Sequence, residues 1–417
     1  MAVAGAHCFN LHRILFMTVG LWPYQKTFIW QIQAVFFFGA YFSMLFFQFT
    51  PFLTTTCNTE CMVKRISYIS ITVVSIMNYY LVYFNSEAVK QVFQHMQFDW
   101  KMFKNTAAMK IFEEFLFESY IFALFLCFTF VITSFVLTLM ESTPMILDVI
   151  APMNDSRPRN LELDFEFFIF NEEQYFFFLL LLEGAAAGFG VWSLLAIFTF
   201  FTTVMKHSCA TYKIVRLTSA LFFLIMEFIY YLHYLNFFSY LIQDTVPVYM
   251  LQLPVVQRIQ YMHRNICLSV YLHRRTLEFC KGLLLSFDIW LFPLLLVYVL
   301  SLSCVLFRVY NGIIQFNGFH DVVLSCGLLV CYLGYMFTAN WFAQSYTDHS
   351  VEVLESTYDA LWYVAPLPIQ KLFLMMQTSI KSHKLVLGGL FVGSMEGFST
   401  LVTSAISYFT VLHAMQL

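Results

Sequence analysis

Runs of apolar residues long enough to cross a bilayer dominate this chain. A spanning helix needs ~20 such residues. Seven stretches supply them: Thr27–Phe52, Ile66–Phe84, Glu118–Met140, Tyr175–Met205, Leu283–Phe307, Phe319–Phe342 and Leu387–Leu412. Backbone groups in lipid must be satisfied within the segment, so the pattern predicts an all-α, polytopic membrane protein surrounded by lipid. Composition agrees. Only 11% of the 417 residues are charged and 60% are hydrophobic, where a soluble domain carries ~25% charged residues. The 22 Lys and Arg against 25 Asp and Glu leave no basic field, so nucleic acid is not an expected partner.

An eighth apolar stretch, Ser219–Ile242, contains Glu227, His233 and Asn236, and hydropathy alone does not decide between seven spans and eight. Loop charge does, because cytoplasmic loops collect Lys and Arg. Seven spans with the N-terminus inside put 17 basic residues inside and 5 outside; an eighth span changes this to 10 and 12. The expected plan is therefore seven helices, N-terminus cytoplasmic and C-terminus extracellular. The outer segment Glu141–Gln174 then holds eight acids, two arginines and the sequon Asn154-Asp-Ser156, which makes Asn154 a glycosylation candidate. Met1–Lys26 lacks the pattern of a cleaved leader, so the first span is expected to serve for targeting. The third span ends Leu139-Met140-Glu141-Ser142 without an Asp-Arg-Tyr, and the orientation is inverted relative to G-protein-coupled receptors. No G protein is expected as a partner.

The ten cysteines form no spacing framework, and His207-Ser-Cys209 is too isolated for a metal site. No nucleophile, base or metal set sits at any span end, so no catalytic residue, metal or cofactor is expected. Lys206–Gly282 is aromatic-rich and is expected to extend the fourth and fifth spans as cytoplasmic helices that join a subunit interface. After the sixth span, Asp348, Glu352, Glu355 and Asp359 share one helical face, with Val351, Leu354, Tyr358 and Leu361 opposite. In the last span, Gly393, Gly397, Thr400, Ser404, Ser407 and Val411 recur at helical spacing, with Met415 one turn on. Two readings compete. The stripe lines a water-filled pore closed by an apolar constriction at Val411 and Met415, or Gly389, Gly393 and Gly397 pack the helix through small-xxx-small contacts.

The stretch Tyr332–Leu412 resembles the insect odorant receptors. The matching residues are Asp348-His349-Ser350, Tyr358 with Trp362-Tyr363 and proline, Met395-Glu396-Gly397-Phe398, and the closing Ser407-Tyr408-Phe409-Thr410-Val411-Leu412. These motifs cover about a fifth of the chain. The resemblance implies a ligand-tuning subunit of an odorant-gated, non-selective cation channel, assembled as a heterotetramer with the odorant receptor coreceptor in the plasma membrane of a sensory dendrite. The last helix would line the pore at Ser404, Ser407, Val411 and Met415. Residues 1–205 would hold the ligand-pocket bundle, 206–282 a cytoplasmic extension, 283–342 spans five and six, 343–386 cytoplasmic anchor helices, and 387–412 the pore helix.

In that family the ligand lies among the second, third, fourth and sixth spans. At helical spacing the candidate faces here are Val73, Ile76, Met77 and Tyr80; Phe130, Thr133, Ser134 and Leu137; Phe178, Leu181, Leu182 and Ala185; and Cys326, Leu329 and Val330. Such a lining suits a small apolar volatile or pheromone-like molecule. The competing class is a secondary transporter using the intramembrane carboxylates Glu183 and Glu396, though no inverted repeat or pair of broken spans supports it.

Overall fold

The computed structural model describes residues 3–25, 28–54, 57–104, 106–150, 172–234, 255–315, 319–358, 367, 370–372, 374–375 and 384–415. In chain order the helices are α1 (Val3–Thr18), α2 (Phe28–Phe49), α3 (Pro51–Thr54), α4 (Thr59–Phe84), α5 (Ser86–Phe103), α6 (Ala108–Ile150), α7 (Glu172–Tyr234), α8 (Val255–Gln315), α9 (Phe319–Tyr358) and α10 (Met395–Ala414). A two-stranded hairpin, β1 (Val386–Leu387) and β2 (Phe391–Val392), precedes α10. Six helical stretches among the described residues are long and apolar enough to cross a membrane, and they correspond to the first six predicted spans. The chain is an all-α polytopic membrane protein. Asn154 lies outside the described residues, as do Asp359, Leu361 and 235–242 of the eighth apolar stretch. The rest of that stretch continues α7.

At 1.5 Å per residue, α6 to α9 are ~60–95 Å long, far beyond the ~30 Å bilayer core, so each spans the bilayer and projects from it. Charged contacts gather in two belts that are ~50 Å apart along α8. In one belt Arg308 donates to Ser67 Oγ at 3.1 Å and Tyr68 Oη at 2.9 Å, and Lys64 lies 3.8 Å from Asp321. In the other, buried Asp99 sits 2.7 Å from the Arg275 guanidinium, 3.2 Å from His95 and 3.5 Å from His207. Lys206 pairs with Glu118 at 2.5 Å, and Arg216 pairs with Glu352. Between the belts the interior is aromatic: Phe37 stacks on Tyr79, and Phe198 lies against Tyr335.

Helices α1 and α5 are too short to cross the bilayer and pack onto the bundle instead. In α5, Val89, Val92, Phe93, Met96, Asp99 and Phe103 are buried at spacings of three and four. From α1, Leu15 and Phe16 enter the core. His12 Nε2 meets Thr203 Oγ1 at 2.7 Å, the Thr18 hydroxyl accepts from Trp192 Nε1 at 2.9 Å, and just past α1 the Val19 carbonyl accepts from Tyr79 Oη at 2.9 Å. Burial lowers the His12 pKa from 6.5 to about 4.

Two expectations are corrected, and the fold fixes the direction of one predicted face. Cys57, in the short α3–α4 connection, and Cys61, in the first turn of α4, form a disulfide across a Cα separation of 5.5 Å; an i, i+4 spacing is no framework signal. On the last turns of α9, Ser350, Val353 and Thr357 face inward, whereas Val351 and Tyr358 are exposed. The apolar stripe read from periodicity therefore faces away from the single chain. Finally, the seventh predicted span starts too early. Gly388 and Gly389, with φ of 58° and 68°, make the turn of the β hairpin, and a Cβ on Gly388 would collide with the Phe292 ring. Helix α10 begins only at Met395, where Ser394 Oγ caps Gly397 N at 3.0 Å. Gly389 and Gly393 are thus not helical, so no small-xxx-small ridge exists. Gly397 is small because the Val392 carbonyl of the hairpin lies against it.

Candidate functional site

A cavity of ≈ 230 Å³ lies between five helices, in the half of the bundle that carries Arg308. Its wall is Tyr41, Met44 and Gln48 from α2; Tyr68, Ile71, Thr72 and Ser75 from α4; Phe130, Ser134, Leu137, Thr138 and Glu141 from α6; Glu183, Gly184, Ala186, Ala187, Gly188, Gly190 and Val191 from α7; and Leu324 and Leu328 from α9.

The space exists because α7 is nearly bare along Gly184–Gly190. A Cβ built on Gly184 or Gly188 would meet nothing within 4 Å. Gly190 serves a different purpose: a Cβ there would lie 3.3 Å from Ser75 Oγ, so its absence lets α7 approach α4. Tyr41 Oη shares a 2.5 Å hydrogen bond with Ser193 Oγ, which holds the ring against the cavity floor. Thr72, Ser75 and Thr138 donate to carbonyls of their own helices at 3.3, 3.0 and 2.9 Å, so these hydroxyls have spent their donors and offer the cavity only acceptor lone pairs.

Of the predicted ligand-face residues, Phe130, Ser134 and Leu137 line this cavity and the others do not. On α4 the cavity face is Tyr68, Ile71, Thr72 and Ser75. Ile76 packs into the central core, Met77 packs toward α8 and α9, Tyr80 meets Trp290 at 4.6 Å, and Val73 is half-buried. On α7, Phe178, Leu181, Leu182 and Ala185 are exposed on the outer surface, as are Thr133 on α6 and Val330 on α9. Cys326 is half-buried, and Leu329 packs with the α8–α9 cluster. Lipid tails are as apolar as leucine, so large apolar side chains gain nothing by turning inward. Along Gly184–Gly190 of α7 it is small residues, with Glu183, that turn inward. The contribution of α2 went unread because Tyr41, Met44 and Gln48 sit in a uniformly aromatic run. The signal that marks the site is the Gly184-Ala-Ala-Ala-Gly188 run, with Glu183 beside it.

On α10, Gly397, Leu401 and Ala405 are buried against the bundle. Ser407, Val411 and Met415 are exposed and Ser404 is half-exposed, with Thr400 and Thr403 flanking them. Glu396 is exposed in the first turn, whereas Glu183 is only 4% exposed. Ser404 and Ser407 donate to the carbonyls of Thr400 and Thr403 at 2.8 and 2.9 Å, leaving hydroxyl lone pairs on an open face. Among the described residues no group of three or more His, Cys, Asp or Glu could hold a metal ion.

These features define a class: a multi-pass helical membrane protein with a small cavity among its spans and a separate helix presenting a hydroxyl-bearing face. No family model and no curated protein sequence matches the chain. Solved structures do. The olfactory receptor OR5 of the insect Machilis hrabei superposes with a TM-score of 0.71 at 12% identity, over 98% of this chain and 99% of the receptor, in its complex with eugenol. The structure of OR5 described without a ligand matches equally, at 0.71 and 12%, over 99% and 98%. The chain has the insect olfactory receptor fold along its whole length.

Proposed function

We propose that this chain is an odorant receptor: a subunit of a ligand-gated, non-selective cation channel and not an enzyme. A small, largely apolar molecule binds in the cavity among α2, α4, α6, α7 and α9 and opens a pore lined by α10. The observation that carries this reading is a cavity of ≈ 230 Å³ among the spans of a fold shared end to end with olfactory receptors, one of them seen with eugenol. A dry cavity of roughly 150 Å³ admits benzene, so this one suits a ring with a short substituent.

Three features support an orientation with the N-terminus cytoplasmic. Basic residues concentrate on one side of the seven-span plan. The Cys57–Cys61 bridge falls on the opposite side, where an oxidising exterior keeps disulfides intact. The Asp99–Arg275 belt, with the long extensions of α7 and α8, falls on the basic side. The exposed Ser404–Met415 face of α10 and the exposed Val351 and Tyr358 of α9 need partners. A heterotetramer with the coreceptor in the plasma membrane of a sensory neuron would cover them.

Whole-cell recording from cells expressing the chain with and without the coreceptor tests the proposal, using a panel of small volatiles. Cation current that follows ligand application at once is expected. Slow, saturable uptake coupled to an ion gradient, without such current, would instead favour a transporter built on Glu183.

A further inference from the structure

Among the cavity residues, Gln48 is chemically out of place. Its side chain is 5% exposed, and its Oε1 is buried without a hydrogen-bond partner among the described residues. A buried amide left unpaired is costly, and native structures rarely keep one without a reason. The neighbouring Thr72, Ser75 and Thr138 hydroxyls are already bonded within their own helices. No basic residue is among the described residues that line the cavity.

The cavity is also polarised along its length. Gln48, Tyr68, Glu141 and Glu183 each lie toward the Arg308 end of their helix, while Tyr41, Ser75, Phe130 and Val191 lie about two turns deeper, ~10 Å away. The Arg308 end carries the amide and carboxylates, whereas the deeper end carries rings, Val191 and only the hydroxyls of Tyr41 and Ser75, each already hydrogen-bonded. A ligand that fills both must be amphipathic.

We infer that Gln48 is the polar anchor of this cavity and that its ligand is a small neutral alcohol or phenol, with the hydroxyl on the Gln48 amide and the apolar body against Phe130 and Val191. This rests on reading the cavity as the ligand site. A hydroxyl both donates and accepts, so it pairs with the amide in either orientation of the carboxamide, whereas a hydrocarbon leaves Oε1 orphaned. With no basic residue among the described lining, the cavity offers an acidic ligand no counter-charge.

The test compares benzyl alcohol, ethylbenzene and benzylamine, three molecules of nearly one shape. Binding is read from the ligand-induced rise in melting temperature of the detergent-purified chain, and gating from whole-cell current. Gln48→Met keeps the length of the side chain and removes its hydrogen bonds. It should weaken benzyl alcohol relative to ethylbenzene by about 10–100-fold. Equal changes for the two, or none, would overturn the inference. If Gln48→Met does not fold, the wild type decides. Its preference for benzyl alcohol should exceed that predicted by the two water-to-octanol partition coefficients by about tenfold. A ratio that merely follows partition refutes the anchor, and a dominant preference for benzylamine assigns recognition to the carboxylates instead. Alcohol-selective binding without current would leave the anchor standing and refute the channel reading. Current opened by all three ligands without selectivity would do the reverse.

Discussion

Filling the cavity from the bare side of α7 gives the most direct perturbation of this site. Gly188 lines the cavity, and a Cβ there would meet nothing within 4 Å, so Gly188→Leu can extend its side chain without displacing the bundle. Removing a helical glycine also favours the helix by a few tenths to ~1 kcal/mol, so the variant should fold at least as well as the wild type. The isobutyl group would occupy space that a ring-sized ligand needs within ≈ 230 Å³. If the ligand forfeits two to three methylenes of buried contact at ~0.8 kcal/mol each, binding weakens by about 2 kcal/mol. That is ~30-fold in half-maximal concentration. Gly188→Ala, which adds one methyl group, should shift the same value only ~3-fold, by the same scale. Concentration–response curves for a short and a long ligand, recorded at matched surface expression, measure the effect. The long ligand should suffer more. Unchanged curves for both ligands in Gly188→Leu would show that this cavity is not where they bind.

Four further outcomes are expected. Val411→Ser should raise current in the absence of ligand, because an apolar constriction that excludes water becomes wettable; unaltered leak and ion selectivity in Val411 and Met415 variants at the surface would move the gate elsewhere. Arg275→Met strands the buried Asp99 carboxylate and should cost ~3–5 kcal/mol, visible as a marked loss of melting temperature that the double variant Asp99→Asn/Arg275→Met partly restores. His12 stays neutral in the fold down to about pH 4 but protonates at its usual 6.5 when unfolded, so its contribution is complete above about pH 6.5 and declines as pH falls toward 4. The loss reaches ~3 kcal/mol; His12→Gln should melt with a flatter pH dependence, and equal slopes would refute it. Glycan attached at Asn154, together with a tag at Arg264 reached only after permeabilisation, is the outcome expected from the charge asymmetry; a tag at Arg264 labelled on intact cells would invert the topology.

Much of the architecture was legible because its causes are local. Lipid offers the backbone no hydrogen bonds, so an apolar run such as Ile66–Phe84 or Phe319–Phe342 must be helical whatever its neighbours do. Hydropathy failed where two local signals overlap. Leu387–Val392 is apolar enough to extend the last span, yet the paired glycines Gly388 and Gly389 turn it into a hairpin and delay α10 to Met395. Helices α1 and α5 are too short and polar to register as spans, and they are held by contacts such as Tyr79 to Val19 and the buried Asp99 cluster, which join residues far apart in the chain.

What the sequence by itself determined is therefore the first six membrane spans and the hydroxyl-bearing stripe Thr400–Ser407. Only the tertiary structure decided which face of each helix turns inward. Periodicity marked Phe178, Leu181 and Leu182 as a face of α7, but not its direction, and they point outward while Glu183, Gly184 and Gly188 line the cavity. In water the hydrophobic effect would have ordered those faces. In a bilayer it is silent between helix and lipid, so close packing, polar satisfaction and the fit of bare glycine against neighbouring helices choose the inner face.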